Sequence, residues 1–146
     1  MEAHFSPPAA ATAVADPDHP HHDLIEQLTC LETLPDHTFG PHLFALIFSM
    51  ECNFRDEEAR MEELGLPGLH NHREQHARVL AALHNVVPDV MLGRFDAARH
   101  AIELLQRWVP LDHATIDAEI AVKLDLTQAS WPRIQRHQQE ESSNSR

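Results

Sequence analysis

The sequence predicts an all-α chain folded as an up-down-up-down antiparallel four-helix bundle, and three observations predict it. Helix formers dominate: Ala, Leu, Glu, Gln and Arg are plentiful, whereas Gly is scarce at 4, Tyr is absent and β-branched runs are missing. Apolar residues recur in steps of three and four along four separate stretches, the mark of one buried face per helix. The connections between the stretches are about 4–8 residues long, which makes consecutive helices antiparallel neighbours.

The first helix is expected over residues 19–34, with His21, Leu24, Leu28 and Leu31 on its inner stripe and Pro35 ending it. The second, over 41–64, starts near Pro41, carries Leu43, Leu46, Met50, Asn53, Glu57, Met61 and Leu64 inward, and stops at Gly65 and Pro67. The third, over 69–87, turns Leu69, His72, His76, Val79, Leu83 and Val86 to the core and stops at Pro88. The fourth, over 92–110 with a short continuation to 124, buries Phe95, Ala98, Ile102, Leu105, Val109, Asp112 and Ile116. Pro110 is expected to disturb it by removing one backbone bond. Residues 1–17 are rich in Pro and Ala and read as an extended arm; 127–146, ending RHQQEESSNSR, read as a frayed polar tail. One domain, 18–126, lies between them.

A net charge of −12 argues against nucleic acid and against anionic membrane surfaces as partners, since both need a basic face. Cys30 and Cys52 are too few for a disulfide framework, and the N-terminus lacks the basic and apolar regions of a signal peptide, so a reducing cytoplasm is expected. No run approaches the roughly 18 apolar residues of a membrane span. The outlier is histidine: 13 of them make the positions of individual imidazoles informative.

Polar residues interrupt the apolar stripes at comparable heights. They are His21 on the first helix, Asn53 and Glu57 one turn apart on the second, His72 and His76 one turn apart on the third, and Asp112 or His113, then Asp117, on the fourth. An unpaired buried carboxylate costs several kcal/mol, so convergence of these groups demands a partner. Imidazoles and carboxylates on facing helices suit iron, manganese or zinc, and i, i+4 spacing aims two ligands at one ion. Glu57 is then the inward acid, with Asp56 and Glu58 about 100° to either side, so that Glu58→Gln is expected to do little. A lone His on an apolar face is more often a hydrogen-bonded core residue, and HxxxH by itself is a weak signal. The combination with an in-stripe Glu57 and a later Asp117 is the stronger one.

Four segments resemble the signatures of the hemerythrin family. PGLHNHREQHARVL (67–80) looks like its third-helix signature, a Pro followed five residues later by the first His of an HxxxH. NFRDEEARM (53–61) resembles the second-helix pattern HFxxEExxM. DPDHPHHDL (16–24) is similar to the first-helix pattern, with Asp three before and Leu three after a ligand His, and WVPLDHATID (108–117) resembles the fourth-helix pattern WLxxHxxxxD. The resemblance spans 16–124 in the right order. It implies a non-haem centre of two irons that binds dioxygen reversibly, in a bacterial-type carrier or sensor, with no catalysis. Residue by residue, it implies that His21 ligates the second iron, that His72 and His76 ligate the first, and that Glu57 and Asp117 bridge the two. Two positions depart from the pattern: Asn53 stands where the family has its second-helix His, and Asp112 where it has its fourth-helix His. In a continuous helix Asp117 lies about 40° from His113 but about 140° from Asp112, which favours His113. The spacing from Trp108 favours Asp112, so both stay open for the fourth-helix ligand position.

Two other functions compete. Replacing imidazoles by Asn and Asp moves the site toward carboxylate-rich diiron enzymes of ferroxidase or peroxidase type, because harder ligands stabilise ferric iron. The third reading is a bundle holding one metal or none and acting through partners.

Overall fold

The computed structural model describes the backbone of residues 19–143 and the side chains of residues 22–125. The expected N-terminal arm, 1–17, and the side chain of His21 lie outside the described residues. Four helices follow one another: α1 (His19–Thr33), α2 (Asp36–Glu63), α3 (Leu69–Met91) and α4 (Asp96–Ser143). Among the described residues there is no strand, α1 packs against α2 and α4, and α3 packs against the same two helices. This is the four-helix bundle that the stripes predict. No described helix is long and apolar enough to cross a membrane.

Helix ends differ from expectation where tertiary contacts outweigh local signals. α2 starts at Asp36, five residues before Pro41. The turn ahead of the proline is held from outside. Phe39 is fully buried with its ring edge-on to Phe95 at 5.7 Å, and the Arg99 guanidinium lies 4.6 Å over the Phe39 ring. Arg99 also donates to the Leu34 carbonyl at 2.8 Å and to Asp36 at 2.7 Å, satisfying the end of α1 and the start of α2 together. α3 likewise runs past Pro88, because Val90 is buried beside Gly40. It ends instead at Met91, and Gly93, with a φ of 76°, lets the Arg94 N–H reach the Asp89 carbonyl at 2.8 Å. α4 passes through Pro110 and continues to Ser143, through most of the segment expected as a tail. That segment is rich in Gln, Glu and Arg, which favour helix once one has been nucleated.

The interior is layered along the bundle axis. A large apolar cluster, including Leu28, Phe39, Leu46, Met50, Leu83, Ile102 and Val109, fills one end. A smaller one, Met61, Leu66 and Ile116, fills the other. Between Phe54 and Met61 on α2, between Leu69 and Val79 on α3, and between Val109 and Ile116 on α4 the inward residues are polar. A polar layer is thus inserted between two apolar ones.

Candidate metal centre

Among the described residues, Asn53, Glu57, His72, His76 and Asp112 are the buried polar ones, between 1 and 8% exposed. Each occupies a stripe position where an apolar side chain would contribute about 1.5–3 kcal/mol by burial. Helical periodicity places them: Asn53 and Glu57 stand one turn apart on α2, His72 and His76 one turn apart on α3. α4 supplies Asp112 from the front and His113, 11% exposed, from the side.

Asp112 is the hub. His72 Nδ1 donates to its Oδ1 at 3.1 Å, and His76 Nε2 lies 3.4 Å from its Oδ2. Glu57 is shared in the same way, with Oε2 at 3.5 Å from His76 Nε2 and Oε1 at 3.2 Å from His113 Nε2. Two sets of ligand atoms therefore converge, each within 4.8 Å: His72, His76 and Asp112 in one, and Glu57, Asp112 and His113 in the other. They share Asp112, and Glu57 reaches toward both.

His76 is the most constrained member. Its ring stacks on Phe54 at 3.8 Å with an interplanar angle of 3°, and Trp108 stands edge-on to both rings. His76 Nδ1–H donates to Glu58 Oε1 at 2.8 Å, and Arg73 holds Glu58 Oε2 at 3.4 Å and Glu62 at 3.0 Å. Burial is the largest single influence on His76 and pushes its pKa down. The hydrogen bonds to Asp112 and Glu58 and the charges of Asp112 and Glu57 outweigh it, holding the group above its ordinary 6.5.

The donor set fits a divalent transition metal. Two imidazoles and one carboxylate on one side of an ion, as His72, His76 and Asp112 offer, are the ligands of non-haem ferrous sites, and zinc or manganese accept the same atoms. A carboxylate on the distal nitrogen of a ligand His, as Glu58 is on His76, is the usual outer partner that fixes ring orientation.

The expected site residues are not all brought together. Glu57, His72, His76 and Asp112 converge. Asp117 is exposed and stands outside both sets. Five residues past Asp112, it is turned about 140° away on the helix, so the carboxylate role on α4 falls to Asp112. The choice between Asp112 and His113 dissolves, because the site sits between the directions of the two side chains and receives both. Asn53 is buried, and its Oδ1 has no hydrogen-bond partner among the described residues. Of the remaining histidines, His22, His37, His70, His84 and His100 are exposed.

Two acids of the site carry no expectation from the sequence as ligands or partners. Glu58 joins the site through its 2.8 Å contact with His76 Nδ1. Glu119 places Oε1 3.7 Å from His72 Nε2, and a signal for it exists: it is seven residues past Asp112, about 20° away on the same face.

No family model matches the chain, and neither the curated proteins nor the solved structures return a match.

Proposed function

We propose that the polar layer is a dinuclear iron centre of hemerythrin type and that the protein binds dioxygen there, as a carrier, store or sensor. The observation that carries this reading is the sharing of Glu57 and Asp112. Each carboxylate turns one oxygen to one ring nitrogen and its other oxygen to another, and three histidines in all receive them. His72, His76 and Asp112 would hold one ion and Glu57, Asp112 and His113 a second, with Asp112 common to both sets. The four ordered sequence signatures support the same reading, with His21 as the further ligand that the resemblance implies for the second iron.

Iron bound there would supply the electrons that an oxygen-binding centre needs. The chain supplies the rest. Glu58 fixes the His76 ring so that Nε2 faces inward, Phe54 and Trp108 pack against the ring, and Glu57 and Asp112 would offset the positive charge of bound ions. Anaerobic loading with ferrous iron followed by air tests this. Two irons per chain and a visible charge-transfer absorption are expected, and a colourless, iron-free protein would sink the reading.

A carboxylate-rich redox enzyme is the second reading. Glu58 and Glu119 favour it, because they raise the count of acids around the three histidines to four. Ferrous oxidation or peroxide consumption by the parent above a His72→Ala control would select it. Equal rates would exclude it.

A further inference from the structure

We propose that Glu119 is a positioning residue of the metal centre, holding the His72 ring from a seat that exists because residue 68 is glycine. The inference rests on the metal-centre reading above and concerns residues that the four signatures do not assign.

His72 lies between two carboxylates of α4, with Asp112 Oδ1 at 3.1 Å from Nδ1 and Glu119 Oε1 at 3.7 Å from Nε2. The second contact is longer than a hydrogen bond. The two acids occupy one face of α4 two turns apart, so the ring has an acid on each nitrogen and its orientation is set from both sides.

Gly68 makes the room. A Cβ at this position would fall 2.7 Å from Glu119 Cδ and closer still to both carboxylate oxygens. Its backbone, at φ −77° and ψ −6°, is one any residue adopts, so the glycine is not needed for the turn. What it provides is space for the carboxylate. Gly68 is also the N-cap of α3 and no side-chain cap bond is made there, so the carboxylate rests at the positive end of the helix that carries His72. Glu119 Oε2 is itself buried with no hydrogen-bond partner among the described residues. Burying a carboxylate oxygen in this way is a cost that a purely structural contact would avoid with an apolar side chain.

The test is a double-mutant cycle on the full chain, using Gly68→Ala, Glu119→Ala and both together, with Co2+ as the probe metal. The second readout is the imidazole 15N resonances of His72 in metal-free protein. Each single variant is expected to weaken Co2+ binding about 10–100-fold, the range for outer partners of ligand histidines. The double variant should be no weaker than Glu119→Ala, because the methyl group added by Gly68→Ala then has no carboxylate to displace. Glu119→Gln, which keeps an acceptor, should recover part of the loss. Gly68→Ala should fold normally, since its dihedral angles suit alanine. The His72 resonances should move in both single variants. An equal further loss from Gly68→Ala in the Glu119→Ala background would overturn the proposal, as would unchanged His72 resonances in Glu119→Ala. If the parent bound no Co2+, shifted resonances would uphold the positioning contact while removing the metal reading, and unshifted ones would end both.

Discussion

Glu58 accepts a hydrogen bond from His76 Nδ1 at 2.8 Å, and this contact decides which nitrogen of the ring faces the interior. With Nδ1 engaged, Nε2 is left toward Asp112 and Glu57. An acid expected to be inert from its place on the wheel is therefore part of the site.

Glu58→Ala is expected to weaken metal binding by about 10–100-fold, as loss of an outer carboxylate does elsewhere. Glu62→Ala is the control, because Glu62 is exposed and bonds only Arg73 among these groups. Isothermal titration of both variants with one divalent metal checks this. Equal affinities would show that Phe54 stacking alone orients the ring.

Glu57→Gln should cost more than that, beyond the roughly 100-fold ceiling of outer partners, since Glu57 faces both His76 and His113. Asp117→Asn should change little, because Asp117 is exposed and outside both ligand sets. Elemental analysis of the two purified variants discriminates them. Loss of metal from Asp117→Asn with retention in Glu57→Gln would reverse the assignment.

The bundle is legible in the sequence because burial needs period, and each stripe keeps its period through the polar layer. Glu57, His72, His76 and Asp112 can be found for the same reason: a polar residue at a core position is conspicuous. Glu119 sits on the continuation of the Asp112–Ile116 stripe, one step beyond the last apolar residue that marks it, so the apolar pattern alone does not reach it. Asp117 follows Asp112 and His113 among the polar residues of the fourth helix, but five residues past Asp112 the helical wheel turns it away from the site. Glu58 cannot be read, since its role depends on where a helix 18 residues later brings His76. The start of α2 is hidden for a similar reason, because Arg99 and Phe95, far along the chain, hold the turn before Pro41.

The metal-free protein should show an acid-side contribution from His76. Its folded pKa is raised above 6.5, so the protonated ring stabilises the fold fully below pH 6.5, and this contribution is lost as pH rises through the folded value. Urea midpoints of metal-free parent and His76→Gln should therefore differ most below pH 6.5 and converge as pH rises past it. A gap that widened with pH would mean that the buried ring is held neutral.

Asn53 gives the last prediction. Its side chain is buried, its Oδ1 has no hydrogen-bond partner among the described residues, and it borders an open pocket of about 240 Å3 beside Leu24, Gln27 and Cys52. An unsatisfied buried acceptor costs about 1–3 kcal/mol, so Asn53→Leu should stabilise the metal-free fold by an amount of that order. Asn53→His should act differently. An imidazole one turn before Glu57 would add a ligand on the Glu57–Asp112–His113 side, as the proposed reading requires. Asn53→His is thus expected to raise iron content toward two per chain and to strengthen any colour formed in air. Asn53→Leu should raise the thermal midpoint and leave iron content at or below that of the parent. If Asn53→His bound no more iron than the parent, the missing imidazole would not be what limits the second ion. The case would then shift toward Asp112, which serves both ligand sets at once, or toward a bundle that keeps the fold without the chemistry.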